Sequence, residues 1–241
     1  MPVLEIELDG GESIVAESGE LSWMTQSIAL TTGAKTAGAK GVFGVLKRAV
    51  GGGSIFMTEY TAHDAPGMVA FATKVPGHIL SIEVSPSAEY RIHQHGYLCG
   101  TPGVELSIAF QQSLGAGLFG GEGFVLQKVS GTGSAWVEID GEVVPYTLAE
   151  GETLRVHPGH VAMLEQTVSF ELTRIKGIKN IIFGGDGLFL ASLTGPGQVW
   201  LQSLPLANLA HALSRYLPQG GGDENKGGLG GALGGILGGN S

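Results

Sequence analysis

The chain repeats itself. Phe119-Gly120-Gly121-Glu122-Gly123 returns as Phe183-Gly184-Gly185-Asp186-Gly187, 64 residues later. At the same spacing Gly131 and Gly133 meet Gly195 and Gly197, Trp136 meets Trp200, and Arg91-Ile92-His93 meets Arg155-Val156-His157. A third copy is legible near the start. Gly11-Glu12-Ser13-Ile14, ending at Gly19, resembles Gly151-Glu152-Thr153-Leu154, ending at Gly159. Several matches in one order exceed what chance supplies. A unit repeated in this way covers its apolar face by packing on its neighbours.

Each unit reads as short strands. Apolar and polar residues alternate in Leu4-Glu5-Ile6-Glu7-Leu8, Ile79 to Val84, Trp136 to Ile139 and Val168 to Leu172. Period-two patterning turns one face to a core and the other to water or a neighbouring sheet. Asp140-Gly141, between two such runs, is a hairpin signal, and Pro66-Gly67, Glu150-Gly151 and Pro158-Gly159 mark other turns. This density of turns favours a β-sandwich or a double-stranded β-helix over βαβ units. One helix is expected over 205–217, where Leu206, Leu209, Ala210, Leu213 and Leu217 make an apolar stripe that Pro218 ends. Residues 219–241 are expected to be a flexible Gly-rich tail.

Composition narrows the function. Hydrophobic residues make up 43% and charged residues 15%, with mean hydropathy +0.22, so most of the chain must be buried in a core or against partners. The net charge of −9 removes the overall basic surface that nucleic-acid binding needs. Cys99 is the single cysteine and can form no internal disulfide, which fits a reducing cytoplasm. The N-terminus has neither signal-peptide nor transit character, and no run of 18 uncharged apolar residues is present.

Candidate chemistry centres on Tyr90-Arg91-Ile92-His93-Gln94-His95. Its His-x-His pair, with Glu105 as the next carboxylate, would suit an Fe, Mn or Zn site in a double-stranded β-helix enzyme. The repeat argues for a structural role instead: His93 and His157 are equivalent, the first copy has Glu17 there, and His95 aligns with Gly159. Gly115 to Gly120 contains G-x-G-x-x-G, but strand signals follow it where a dinucleotide site needs a helix. Cys99 and Trp136/Trp200 read as packing residues. No catalytic or cofactor-binding residue is assigned, and no cofactor is expected. A tract from Gly33 to Gly53 interrupts the first copy. Within it Val42, Phe43, Leu46, Lys47 and Arg48 are candidates for a subunit interface or for contact with an anionic membrane surface.

Three stretches carry a family resemblance: GGSIFMTEYTA (52–62), GAGLFGGEGFVLQKVSGTGSAWVEIDGE (115–142) and GGDGLFLASLTGPGQVWLQSLP (184–205). Over roughly residues 3–217 the chain resembles the family of the mitochondrial biogenesis protein named for altered inheritance of mitochondria, as a prokaryotic member of unknown function. The resemblance implies an all-β fold like that of the tryptophan RNA-binding attenuation protein. That is three tandem short double-stranded β-helix-like units with pseudo-threefold symmetry, over approximate units 1–75, 76–142 and 143–205, followed by the helix. It also implies ring-like self-assembly and supplies no catalytic residues. The expected protein is a non-enzymatic, self-associating scaffold of the cytoplasm. It would be a homo-oligomer, with a trimer as the first size to test, and would bind no nucleic acid. The alternatives are a metal-dependent enzyme built on His93, His95 and Glu105, and a peripheral membrane-organising protein.

Overall fold

The computed structural model describes residues 1–34, 55–112, 123–175, 188–214 and 216. Residues 1–210 form one compact unit and 211–241 a second; the described part of the second is 211–214, which is helical, and Tyr216. The first unit is almost wholly β. Its first six strands are β1 (Val3–Leu8), β2 (Ser13–Glu17), β3 (Trp23–Met24), β4 (Ile28–Ala34), β5 (Phe56–Ala62) and β6 (Gly67–Ala72). The next six are β7 (Gly77–Val84), β8 (Tyr90–His93), β9 (Tyr97–Gly100), β10 (Val104–Gln112), β11 (Phe124–Gly131) and β12 (Gly133–Asp140). The last six are β13 (Val143–Leu148), β14 (Thr153–Val156), β15 (Val161–Glu165), β16 (Ser169–Ile175), β17 (Leu188–Thr194) and β18 (Gly197–Gln202). A 3-10 turn at Pro158–His160 leads into β15, and helix α1 (Leu206–Ser214) follows β18.

The three runs of strands pair in matching registers, all antiparallel. Leu8 sits opposite Gly67, Val84 opposite Gly133 and Leu148 opposite Gly197. Glu17 sits opposite Met57, and His93 opposite Leu126, in the ladders that join the second and fifth strands of their runs. The residue that opens the last strand of each run is glycine for a packing reason. A Cβ on Gly133 would lie 2.0 Å from Thr101 Oγ1, one on Gly197 2.5 Å from Thr167 Oγ1, and one on Gly67 2.6 Å from Ser27 Oγ. Gly133 and Gly197 also have φ of +143° and +140°, which side chains other than hydrogen rarely allow.

Four sheets result. Sheet I is β1-β6-β3, sheet II β4-β5-β2-β9-β12-β7, sheet III β10-β11-β8-β15-β18-β13 and sheet IV β14-β17-β16. Sheets II and III each join three strands of one run to three of the next. The joints are β2 with β9 (Val15 opposite Gly100, Ala16 opposite Cys99) and β8 with β15 (Arg91 opposite Leu164, Ile92 opposite Met163). Three cores lie between successive sheets. Leu8, Val69 and Phe71 of sheet I meet Ile14, Tyr60 and Leu98 of sheet II. Ile82 and Val137 of sheet II meet Ile92, Val129 and Met163 of sheet III. Leu126, Leu164 and Val199 of sheet III meet Ala191 and Leu193 of sheet IV. Central strands such as β12 therefore bury both faces. Trp136 packs outward on the first core and Trp200 outward on the second. Pro145, which has no N–H to donate, lies in β13 at the edge of sheet III.

One expected turn is different in kind. Asp140-Gly141 does not close a hairpin: β12 pairs with β7 and β9, and β13 with β18. The Asp140 N–H binds Gln202 Oε1 and the Gly141 N–H binds the Pro76 carbonyl. Distant partners thus satisfy the groups a local ladder would have used, and Gly141, at φ +73°, carries the chain from one run to the next.

Candidate functional site

Of the buried polar residues, Glu138, Asp140 and Gln202 lie where the end of one run is bound by the last strand of the next. Glu138 lies near the end of β12, and its Oε1 accepts the Lys74 N–H at 3.0 Å. Gln202, 64 residues on and at the end of β18, repeats the bond: its Oε1 accepts the Asp140 N–H at 3.2 Å. Its Nε2 also donates to the Gly159 carbonyl at 2.9 Å. Lys74 stands two residues past the end of β6 as Asp140 stands two past Glu138, so one hydrogen bond ties each run of strands to the next.

A cavity of about 530 Å³ opens onto this seam. Its polar side carries Lys74, His93, His95, Glu138, Asp140 and Gln202, and its apolar side includes Val75, Phe124, Val161 and Leu206. The His93 ring bonds the Glu138 carbonyl through Nε2 at 3.1 Å. It fits because residue 96 is glycine; a Cβ there would lie 2.7 Å from Nε2. Lys74 Nζ pairs with Glu20 at 2.7 Å.

Burial sets the protonation of the group. Glu138 is only 2% exposed, and burial pushes its carboxyl up to about 7 against the pull of Lys74. Burial also raises Asp140, while His93, Lys74 and a hydrogen bond with Glu138 draw it back. His93 is held below the usual imidazole range, chiefly by burial and against the attraction of Asp140. At neutral pH the pocket therefore holds a neutral imidazole and two buried carboxyls, at least one of which is still taking up protons. Such a pocket can accept hydrogen bonds and exchange protons.

The candidate residues of the sequence are only partly brought together. His93 and His95 both line the cavity. Glu105 lies on the exposed side of β10 and does not line it. Among the described residues no group of three or more His, Cys, Asp or Glu side chains is placed to hold a metal. His157 packs edge-on to His160 with ring centroids 5.9 Å apart. Cys99 is fully buried and its thiol is pushed up by burial. Val42, Phe43, Leu46, Lys47 and Arg48, the G-x-G-x-x-G tract and the Gly-rich tail lie outside the described residues. Among the described residues no helix is long and apolar enough to cross a membrane.

Sequence reasoning missed Glu138, Asp140, Lys74 and Gln202. The signal was present: Glu138 is an acid where the next copy has an amide, in a strand whose neighbours Val137 and Ile139 are apolar.

Comparison with known proteins agrees with this architecture. An uncharacterized protein of Streptococcus pyogenes serotype M6, M6_Spy0233, is 28% identical over 221 residues, which cover 90% of this chain and 87% of that one. The crystal structure of protein SPYM3_0169 from Streptococcus pyogenes superposes with a TM-score of 0.68 at 24% identity, covering 90% of this chain and 94% of that one, and so shares its fold. The profile of the family described as Mitochondrial biogenesis AIM24 matches residues 1–204, the stretch that holds the eighteen strands found among the described residues. The chain therefore belongs to the mitochondrial biogenesis AIM24 family.

Proposed function

We propose that this protein is a non-enzymatic, self-associating scaffold that works in the cytoplasm. One observation carries the reading: the strands end in half-sheets. Sheets II and III have six strands, three from each of two successive runs, whereas sheets I and IV have three. A strand edge with unpaired N–H and C=O groups is a template for another chain. The surface agrees, because Val3, Trp23, Leu30, Phe56, Val144 and Tyr146 are exposed on strands. The metal-dependent alternative would need Glu105 beside His93 and His95, and Glu105 stands apart from them. Light scattering at micromolar concentration tests the proposal. A particle of several 24.8 kDa chains is expected, a trimer being the first size to look for, and a strictly monomeric mass would end this reading.

A further inference from the structure

We infer that the cavity at the end of β12 binds a small primary ammonium compound, its charged head on Glu138 and Asp140 and its hydrocarbon body against the start of α1. Gln202, the equivalent of Glu138, shows what the fold alone needs at this place. It satisfies both ends of its amide, Oε1 taking the Asp140 N–H and Nε2 giving to the Gly159 carbonyl. Glu138 is satisfied at one end only. Its Oε1 takes the Lys74 N–H, but Oε2 is buried with no N–H or hydroxyl donor among the described residues. This side chain is 2% exposed and lines the cavity. The group it does meet is the Asp140 carboxyl, which is also buried and also on the cavity wall. Two carboxyls side by side bond only through a proton that one of them holds, and a buried acceptor without a donor is costly.

The charges around the pair favour a cation. The segment after β6 brings Lys74, whose Nζ is matched by Glu20 at 2.7 Å and also reaches the His95 carbonyl at 3.5 Å. β8 and the turn after it bring His93, which burial keeps neutral, and His95. The Nε2 of His93 is engaged by the Glu138 carbonyl and gives nothing to the carboxyls. β18 brings Gln202, which carries no charge, while β11 brings Phe124 and α1 brings Leu206, Ala207 and Ala210. With Lys74 matched by Glu20, Glu138 and Asp140 have no cation of their own. A primary ammonium has three N–H groups. It can give one to Glu138 Oε2 and another to Asp140, and the proton the pair held goes to water. The apolar lining takes the body, and a volume of about 530 Å³ is that of a small-ligand pocket. Such binding is independent of self-association.

Benzylammonium is the probe, with benzyl alcohol as its neutral counterpart and benzoate as its anionic one. Calorimetry on the full chain at pH 8 should show saturable binding of benzylammonium with a dissociation constant of about 1 mM or tighter. The alcohol and the benzoate should bind about tenfold more weakly or not at all, because neither replaces the proton with a charged donor. Binding expels the proton held at Glu138, whose carboxyl stands at about 7, so the affinity should fall about tenfold between pH 8 and pH 6. Glu138→Gln keeps the acceptor for Lys74 and should weaken benzylammonium about tenfold at pH 8 while flattening the pH dependence. Leu206→Ala, at a half-exposed position, should weaken it about threefold, equally at both pH values. A measurement on the native chain needs no variant: the His93 imidazole resonances should move as the site fills. No saturable binding at pH 8, benzyl alcohol bound as tightly as benzylammonium, an affinity unchanged by a folded Glu138→Gln chain, or His93 resonances that stay still would each overturn the site and leave the scaffold proposal standing.

Discussion

Glu138 and Gln202 occupy one place in two successive runs of strands, and each accepts a backbone N–H from the end of the preceding run, Lys74 just past β6 and Asp140 at the last position of β12. The carbonyls of both residues also take an imidazole, but from different positions. His93 Nε2 reaches the Glu138 carbonyl at 3.1 Å, and His160 Nδ1 reaches the Gln202 carbonyl at 2.7 Å. His160 is the 64-residue counterpart of Gly96, the glycine that makes room for the His93 ring. The comparison separates what the backbone demands from what the side chain is free to be. A hydrogen-bonding group at the strand end and an imidazole on its carbonyl occur in both places. A titrating carboxyl occurs in one. The second run has a buried carboxyl at this corner where the third has a buried amide.

Replacing Glu138 by Gln should abolish that difference and gives the largest effect. The folded carboxyl titrates at about 7 against an ordinary 4.5, so it binds its proton more tightly when folded. Its contribution to stability is complete below pH 4.5, declines as pH rises through the window to 7, and is lost above it. Glu138→Gln keeps the Oε1 acceptor and removes the buried charge, so it should stabilise the chain by about 3 kcal/mol at pH 8 and by little at pH 4. Urea midpoints at the two pH values read this directly, and equal gains at both would break the argument. Gln202→Ala should destabilise by about 2 kcal/mol, because the Asp140 N–H loses its acceptor and the Gly159 carbonyl its donor. This loss should be the same at pH 4 and pH 8, since no charge is involved. Gly96→Ala, which pushes the third-run feature part of the way into the second run, should cost about 1 kcal/mol by displacing the His93 ring from its carbonyl. Imidazole resonances would show His93 moved and His160 unmoved; a shift of both would mean that the two corners are not independent.

The strand character of this chain was open to reading because its edge strands alternate cleanly. In β1, Glu5 and Glu7 are exposed while Leu4 and Ile6 turn inward and Leu8 is buried. β12 was harder. It lies inside sheet II between β9 and β7, so both faces are covered, and Glu138 is buried at a position that alternation alone would turn to water or to another sheet. The Asp140-Gly141 turn misled for a related reason: its local residues suit a hairpin, but its hydrogen-bond partners come from residues 76 and 202. The site was only half visible. His93 and His95 stood out as a motif, whereas Lys74, Glu138, Asp140 and Gln202 are assembled by contacts between segments some 60 residues apart, a pairing no local pattern records.

Cys99 lies within the β2–β9 joint, opposite Ala16, fully covered and with its thiol held protonated by burial. Alkylating reagents attack the thiolate and need access to it. As the sole sulfhydryl in the chain, it should stay silent while sheet II is intact and react only when that seam parts. The native protein thus carries its own chemical clock: labelling at this one atom times the opening of an internal joint, with no probe added to the chain.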